Sequence, residues 1–433
     1  MDLFQRRCSG TTFCHFAKII ERSCLSILTH KGPDCLQHLL PKKYFITTVP
    51  SSKIIQFNSY RRVACLSQHL GSHATVRNKI SIRTCGKYQH QFLHSFSSLP
   101  SSSKSPDYFA SLIRSDMNKL SSAIKQALAS ESSDVQQIAE YYFNGGGKLI
   151  RPTIILLMSH YCRMLTPISY NTEAISANQF KIALVAEMIH TASLVHDDVI
   201  DESETRRNRP TAGVLWGSKK AILAGDYILA KATKVLASIE KPAVITLLAQ
   251  VIEDLVKGEF MQLKETGSSE TDLFSIYMTK TFLKTASLFA NSCRAVALIC
   301  GASDAIQDMA YEYGKNVGIA FQLIDDTLDF VGDAVCLGKP AVADLKLGIS
   351  TAPVLFAVHE FPVLQQLAQR RFSNEGDVDA AWSMVLKSEG IDKTRQLAKQ
   401  HCDTAVQALS SHGNGVYQNA LVDIAKLIVQ RTH

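Results

Sequence analysis

Beyond residue 106, apolar residues recur every three or four positions along most of the chain. This spacing aligns side chains on one face of an α-helix, and no comparable stretch alternates apolar and polar residues as a half-buried strand does. Helices are predicted over 148–163, 179–201, 219–238, 243–264, 271–300, 304–332, 350–361, 392–409 and 417–431. The sequence therefore predicts an all-α fold, a large helical bundle.

The first 106 residues differ in composition from the rest of the chain. They contain fifteen Lys and Arg but only three Asp and Glu, and they lack a long periodic apolar segment. This composition is typical of a mitochondrial transit peptide followed by a disordered linker; the alternative is a basic tail that stays attached. We therefore predict import into the mitochondrial matrix and one all-α domain over 107–433. A serine N-cap and a proline at 105–107 predict where its first helix begins.

The charge balance of the predicted domain excludes one class of partner. Although the whole chain carries a net charge of +7, the residues after 106 contain more acids than bases. Nucleic-acid binding depends on a basic surface, so we expect none. No stretch reaches the roughly 18 consecutive apolar residues that cross a bilayer, so at most a peripheral membrane contact is expected.

Two clusters of aspartates lie near the ends of apolar helical segments. They consist of Asp197, Asp198 and Asp201, and of Asp325, Asp326 and Asp329. The first and last members of each cluster are one helical turn apart, so their carboxylates emerge on the same face. Three acids in an apolar setting repel one another unless cations neutralise them. Because Mg²⁺ prefers carboxylates, water and phosphate oxygens, the two clusters together predict Mg²⁺ and a phosphorylated ligand.

Cations that suit the phosphate of such a ligand occur both before and after the first cluster in the chain. Lys148 and Arg151 lie where a helix is predicted to begin, so its free N–H groups could help them to bind an anion. Arg206 and Arg207 follow the first cluster, and guanidinium groups match phosphate oxygens.

Six ordered motifs resemble those of the all-trans polyprenyl diphosphate synthases. They are GGKLIRP at 146–152, HTASLVHDDVIDESETRR at 190–207, AGD at 224–226, KTASL at 284–288, GKNVGIAFQLIDDTLDF at 314–330 and GKPAVADLKLGISTAP at 338–353. The resemblance covers roughly residues 107–433. It implies the isoprenoid synthase fold, a helical bundle around a central cavity with metal sites at its mouth.

The resemblance also implies roles for single residues. The catalytic residues would be the six aspartates and Lys284, with Asp197, Asp201, Asp325 and Asp329 as Mg²⁺ ligands. The diphosphate of isopentenyl diphosphate would be bound by Lys148, Arg151, His190 and Arg207. The allylic diphosphate, farnesyl or geranylgeranyl, would be bound by Arg206, Lys284, Thr285, Gln322, Lys339 and Lys346.

The implied reaction is the Mg²⁺-dependent head-to-tail condensation of isopentenyl diphosphate onto the allylic diphosphate. Ala192 and Ser193, about one turn before the first cluster, are small where short-product relatives carry aromatic stoppers. Their size implies a long-chain product, the precursor of the ubiquinone side chain. Open alternatives are a shorter-chain, geranylgeranyl-type synthase and a subunit active only with a dissimilar partner, so a homo-oligomer or a hetero-oligomer is expected.

Other functions fit the sequence less well. A terpene cyclase would not need a second diphosphate site, and a catalytically silent subunit would not need all six aspartates. His196-Asp197 resembles the start of a helical phosphohydrolase site, but that function would leave the second cluster unexplained, so His196 is interpreted as structural. A histidine such as His190 on an apolar face is more often a hydrogen-bonded core residue than a ligand.

Two further groups of residues lie near these motifs: the turn after Arg207 and the acids of the 243–264 helix. Asn208-Arg209-Pro210 replaces the Gly-Lys-Pro of the family, so the turn that aims Arg206 and Arg207 is expected to differ. The acids of the 243–264 helix, Glu253, Asp254 and Glu259, are assigned to solvent or to contacts with a neighbouring helix.

Overall fold

The computed structural model describes residues 111–145, 149–166, 175–263, 270–331 and 342–431. The predicted transit peptide, linker and helix start at 105–107 lie outside the described residues, as do Lys148 and Lys339. Within the described part, almost all regular structure is α-helical, which confirms the all-α prediction. No helix there combines the length and apolar character that a membrane crossing requires.

The helices of the described residues are numbered in chain order. The first eight are α1 Arg114–Leu128, α2 Ser133–Tyr141, α3 Ile150–Leu165, α4 Ala177–Ile200, α5 Ala212–Trp216, α6 Ser218–Ala237, α7 Pro242–Leu263 and α8 Glu270–Thr281. The others are α9 Ser287–Ile299, α10 Asp304–Val331, α11 Ala343–Lys346, α12 Ala352–Ala357, α13 Val363–Gln369, α14 Asp377–Lys387, α15 Gly390–Ser410 and α16 Val416–Val429. A 3₁₀ turn at Phe143–Gly145 follows α2.

Most predicted segments are found within a few residues of their expected bounds. The segment predicted over 271–300 is two α-helices joined by a π-helical stretch, Phe282–Ala286. Periodicity did not reveal α2, α13 and α14. These helices are short and partly exposed, so few of their side chains need to be apolar.

Helices α4 and α10 run through the interior of the bundle. Thirteen residues of α4 and seventeen of α10 are buried. Ser176 and Gln179 form a capping box at the start of α4, and Gln179 Nε2 also donates to the Val296 carbonyl of α9 at 3.2 Å. The start of α4 is thereby fixed against α9, while its other end carries the first aspartate cluster.

Both aspartate clusters lie in the last turns of their helices. Asp197 and Asp198 precede the end of α4 at Ile200, and the second cluster precedes the end of α10 at Val331. The helix dipole is negative at this end, so carboxylates there are repelled by the backbone as well as by one another. The fold therefore concentrates negative charge where two buried helices end.

A two-stranded ribbon follows α4 and carries the arginine pair. Strands β1, Thr205–Arg206, and β2, Arg209–Pro210, are antiparallel, with Arg206 opposite Arg209. Arg207 and Asn208 form the turn with φ of 53° and 58°, the left-handed values of a two-residue hairpin. Asparagine tolerates this conformation, so Asn208 keeps a tight turn despite the departure from glycine.

The left-handed backbone at Asn208 predicts how substitutions affect stability. Asn208→Val should lower the free energy of unfolding by about 1–2 kcal/mol, because a β-branched side chain clashes with the backbone at positive φ. Asn208→Gly should change it little, because glycine adopts this φ without strain. Urea denaturation of the two variants measures the difference. Equal destabilisation by valine and glycine would show that the turn imposes no such constraint.

Candidate active site

The carboxylates of Asp197 and Asp201 at the end of α4 are costly to ionise, mainly because they are partly removed from water. Desolvation raises the pKa of Asp197 to about 7, and the charges of Glu259 and Asp201 act in the same direction against Lys284 and Arg206. Desolvation also raises the pKa of Asp201, with Glu259 again adding to it and Lys284 opposing. A bound cation would remove this energetic cost.

The middle aspartate of the first cluster turns into the protein instead. The Asp198 side chain is 1% exposed, and its Oδ1 accepts a hydrogen bond from Arg206 Nε at 2.7 Å. Its Oδ2 accepts from the phenol of Tyr142 at 2.6 Å. Asp198 therefore holds Arg206 from the protein interior. Asp197 and Asp201 are the two members of the cluster that face the site.

A lysine from the π-helical stretch lies beside the first cluster. Lys284 Nζ donates to Glu259 Oε2, and to Gln262 Oε1 at 3.1 Å. Burial alone would lower the pKa of Lys284, but the charges of Asp197 and Glu259 outweigh it and raise the pKa, so the lysine is charged. Glu259 contacts a neighbouring helix, as expected, but it does so inside the site.

The backbone around Lys284 is shaped to bring it to this position. A Cβ added at Gly258 of α7 would lie 2.6 Å from Lys284 Cγ, so only glycine lets the lysine stem pass. The π-helical stretch inserts an extra residue per turn and rotates Lys284 and Thr285 relative to α8. Both features position Lys284, which the sequence resemblance assigns to the allylic diphosphate.

The second cluster pairs with an arginine that sequence analysis missed. Arg431, just after α16, donates from Nη1 to Asp325 Oδ1 at 3.0 Å, and its side chain is 7% exposed. Asp326 is buried and accepts hydrogen bonds from Tyr277 Oη at 2.5 Å and Gln322 Nε2 at 2.8 Å. Gln322 Oε1 in turn accepts from Thr285 Oγ1 at 2.7 Å, so α10 and the π-helical stretch share one network.

Asp329 has a different environment from the other predicted metal ligands. Its two carboxylate oxygens accept hydrogen bonds from the backbone N–H groups of Ala343 and Asp344, each at 3.1 Å. Asp329 thus holds the start of α11, the short helix that ends with the exposed Lys346. Its metal role remains a prediction, and these two backbone bonds already occupy one lone pair on each oxygen.

Cationic groups converge on His190 between α3, α4 and α10. Arg151 Nη1 donates to His190 Nε2 at 3.0 Å, and the Arg151 guanidinium lies 5.7 Å from the ring centroid of Phe321. Burial, and then the charges of Arg151 and Arg207, hold the pKa of His190 well below its usual value. His190 is therefore neutral, and since arginine only donates, its proton lies on Nδ1.

A buried carboxylate, also missed by sequence analysis, balances these cations. Glu187 is 8% exposed, and its pKa is raised by burial, which the positive charges of Arg151 and Arg207 oppose. Arg151 Nε is buried without a hydrogen-bond partner among the described residues. An orphaned guanidinium N–H in such a site indicates that an anionic ligand completes it.

The two candidate chain-length residues differ in their surroundings. Ala192 is fully buried, whereas Ser193 is half-buried on the face of Asp197 and donates to the His190 carbonyl at 2.9 Å. A cavity on a neighbouring face of α4 is lined by Glu187, Thr191, Leu194 and Arg207, but not by this pair. Their role in product length remains a prediction.

His196 takes the structural role expected of it. Its Nε2 lies 3.2 Å from the Ile222 carbonyl and 3.5 Å from Asp226 Oδ1, so the ring packs on α6. The AGD motif explains this contact, because a side chain at Gly225 would overlap the ring. These partners lie on α6, which removes the main support for a phosphohydrolase site at His196-Asp197.

The donor set of the site fits magnesium. Asp197, Asp201 and Asp325 offer hard carboxylate oxygens, and the raised pKa of Asp197 shows that the site needs positive charge. Among the described residues no three metal-ligating side chains lie together. Mg²⁺ takes one or two carboxylates from a protein and completes its shell with water and substrate phosphate.

The raised pKa of Asp197 predicts a pH-dependent stabilisation by magnesium. Between about pH 4 and pH 7 the folded chain retains a proton that the unfolded chain has lost, so without metal the free energy of unfolding falls as pH rises. Because Mg²⁺ needs the ionised carboxylate, its effect on Tm should be larger at about pH 8 than at about pH 6. Asp197→Asn should remove most of this difference, whereas Glu253→Gln, at an exposed ion pair of α7, should retain it. Equal magnesium shifts at both pH values in the unaltered chain would contradict this assignment.

Comparisons with known proteins identify the family of this chain. A family model described as polyprenyl synthetase matches residues 132–385. The chain is 47% identical over 316 residues to the all trans-polyprenyl-diphosphate synthase PDSS1 of Homo sapiens, covering 73% of this chain and 75% of that protein. It is 39% identical over 338 residues to the mitochondrial solanesyl-diphosphate synthase 1 of Oryza sativa subsp. japonica, covering 74% and 78%.

A solved structure extends the comparison to the fold. The polyprenyl synthase of Caulobacter crescentus CB15, crystallised with calcium and isoprenyl diphosphate, matches with a TM-score of 0.69 and 29% identity over 77% of this chain and 100% of that one. The isoprenoid synthase fold expected from the sequence is thereby confirmed. Because the family model matches more than half of this chain, the chain belongs to the polyprenyl synthetase family.

Proposed function

We propose that this chain is a long-chain trans-polyprenyl diphosphate synthase. It condenses isopentenyl diphosphate head-to-tail onto an allylic diphosphate, in a Mg²⁺-dependent reaction that makes the ubiquinone side-chain precursor. The observation that supports this most directly is that the first carboxylate cluster, which is costly to ionise without a cation, adjoins a basic group with a buried N–H that lacks a partner among the described residues. Arg151 has an unsatisfied buried N–H, while Asp197 has a pKa raised to about 7.

The homoallylic diphosphate is assigned to the Arg151 side of the site. Arg151 and Arg207 provide guanidinium donors, and the neutral His190 orients Arg151 by accepting from it. The negative charge of Glu187 offsets the repulsion between the two arginines when no ligand is bound. Lys148, beyond the described residues, completes this set in the proposal.

The allylic diphosphate is assigned to the region between the two clusters. Arg206 is held by Asp198 through Nε, so its terminal nitrogens are available to phosphate oxygens. Lys284 supplies a positive charge, and Thr285 and Gln322 add hydroxyl and amide groups. Lys346 and Lys339, the latter outside the described residues, are proposed to complete the binding of the allylic diphosphate.

The chemistry requires charge stabilisation more than proton transfer. Mg²⁺ bound at Asp197, Asp201, Asp325 and Asp329 would stabilise the negative charge that develops on the leaving diphosphate. Arg206 and Lys284 neutralise the same charge from the protein side, in a site shielded from water where such contacts are strong. The π-bond of isopentenyl diphosphate then attacks the allylic carbon, and a proton is lost from the new chain.

Exposed apolar side chains on α6 and α7 favour an oligomer. Val256, Phe260 and Leu263 are exposed on one face of α7, and Leu223 is exposed on α6. Exposed apolar faces of this kind favour burial against another subunit, a second copy or a dissimilar synthase chain. The basic composition of 1–106 supports import to the mitochondrial matrix, and at most a peripheral membrane contact is proposed.

A direct assay tests the proposed reaction. The chain should incorporate labelled isopentenyl diphosphate into longer prenyl diphosphates with Mg²⁺ and lose this activity in EDTA. Asp197→Asn should lower kcat/KM at least about a hundredfold, since metal stabilisation is worth several kcal/mol. Glu253→Gln, an exposed acid on α7, should leave it unchanged. Turnover that does not require a metal ion would contradict the proposed Mg²⁺-dependent reaction. If the chain alone is silent, the assay is repeated on the complex co-purified from mitochondria.

The chain-length proposal has its own test. Ser193→Tyr should shorten the product, because the half-buried side chain on the face of Asp197 would block a growing chain. Ala192→Phe is the weaker probe, since Ala192 is fully buried and a large side chain there would disturb packing. Product length is read by chromatography of the dephosphorylated prenols. A folded, active Ser193→Tyr enzyme with products of unaltered length would refute the assignment.

A further inference from the structure

The two aspartate clusters share an arrangement that their spacing does not reveal. In each, the middle carboxylate is turned away from the site, since Asp198 and Asp326 are 3% and 2% exposed. A buried carboxylate costs several kcal/mol unless hydrogen bonds satisfy it. The hydrogen-bond partners of Asp198 and Asp326 therefore indicate the role of each residue.

Both middle aspartates are bonded by a tyrosine from an adjacent helical element. Tyr142, between α2 and the 3₁₀ turn, donates to Asp198 Oδ2 at 2.6 Å, and its oxygen accepts from the Ala212 backbone N–H at 3.3 Å. Tyr277 of α8 donates to Asp326 Oδ2 at 2.5 Å. Short bonds from a phenol to a carboxylate are charge-assisted and stronger than neutral ones.

The second oxygen of each middle aspartate holds a side chain assigned to the allylic diphosphate. Asp198 Oδ1 accepts from Arg206 Nε, and Asp326 Oδ1 accepts from Gln322 Nε2. Gln322 then accepts from Thr285. Both sets thus run in the same order, from a tyrosine through a buried aspartate to a residue of the site.

We propose that Tyr142 and Tyr277 are positioning residues for the allylic diphosphate. This inference rests on the proposed function, because it takes Arg206, Gln322 and Thr285 as its binding groups. Each phenol bonds to one carboxylate oxygen and holds the aspartate so that its other oxygen meets the site residue. Among the described residues Arg206 is thereby hydrogen-bonded through Nε, so that its terminal nitrogens can face phosphate.

Loss of the phenol oxygen changes this geometry in a definite way. Without Tyr142 Oη, Asp198 Oδ2 is left unsatisfied, and the guanidinium of Arg206 can rotate to bind both oxygens as a fork. One terminal nitrogen is then withdrawn from the substrate. Phenylalanine would retain the ring packing of Tyr142 against Tyr141, at a centroid distance of 5.8 Å. Tyr142→Phe therefore removes the hydrogen bond that positions Arg206 through Asp198, but it keeps the ring packing.

The test compares Tyr142→Phe and Tyr277→Phe with a matched control, Tyr313→Phe. Tyr313 is fully buried and donates to the Leu421 carbonyl at 2.8 Å, away from the site. The full chain, with any partner that co-purifies, is assayed for kcat and for both KM values. Binding of farnesyl thiodiphosphate, a non-reacting allylic analogue, is measured by calorimetry with Mg²⁺.

Each site variant should raise the KM for farnesyl diphosphate and the Kd for the analogue about tenfold, the effect of one hydrogen bond to a charged group. The KM for isopentenyl diphosphate should change less than about twofold, and Tyr313→Phe should lower only Tm. A purely structural role, with lower Tm but unaltered allylic KM and Kd, would overturn the inference, as would equal increases for both substrates. An unaltered enzyme that binds no analogue would instead refute the proposed function.

Discussion

The structure depends on negative charge placed at the carboxyl ends of two buried helices. Helices α4 and α10 supply much of the hydrophobic core, and each ends in a cluster of aspartates where its own dipole is already negative. The pKa of Asp197, raised to about 7, records the energetic cost of this arrangement. A fold selected for stability alone would avoid it, so the excess charge is best explained by a cationic ligand.

The neighbouring residues moderate this charge without cancelling it. Arg206 neutralises the inward-facing Asp198, Arg431 neutralises Asp325, and Lys284 lies between Glu259 and the first cluster. On the adjoining surface the sign is reversed, because Arg151 and Arg207 outnumber Glu187 there. The site is thus divided into a region that attracts metal ions and a region that attracts phosphate. A metal-bridged diphosphate substrate matches both.

The sequence predicted the fold class, most helices and the aspartate faces, since periodicity and spacing translate directly into helical geometry. It did not predict Tyr142, Tyr277 and Arg431, which reach the clusters from other elements through tertiary contacts. Nor could it show that Asn208 preserves the hairpin, which depends on a left-handed φ. Glu187 lies just before the motif that begins at His190, and its spacing of one turn before His190 was an available signal.

The central claim is that the carboxylate clusters hold magnesium jointly with an allylic diphosphate. Calorimetric titration of farnesyl thiodiphosphate with and without Mg²⁺, and of Mg²⁺ with and without the analogue, tests it most directly. Two ligands that share a site must strengthen each other by the same factor. The account predicts strong reciprocal coupling that Asp197→Asn and Asp325→Asn each weaken. Independent binding of the two ligands, or coupling that survives both substitutions, would contradict it.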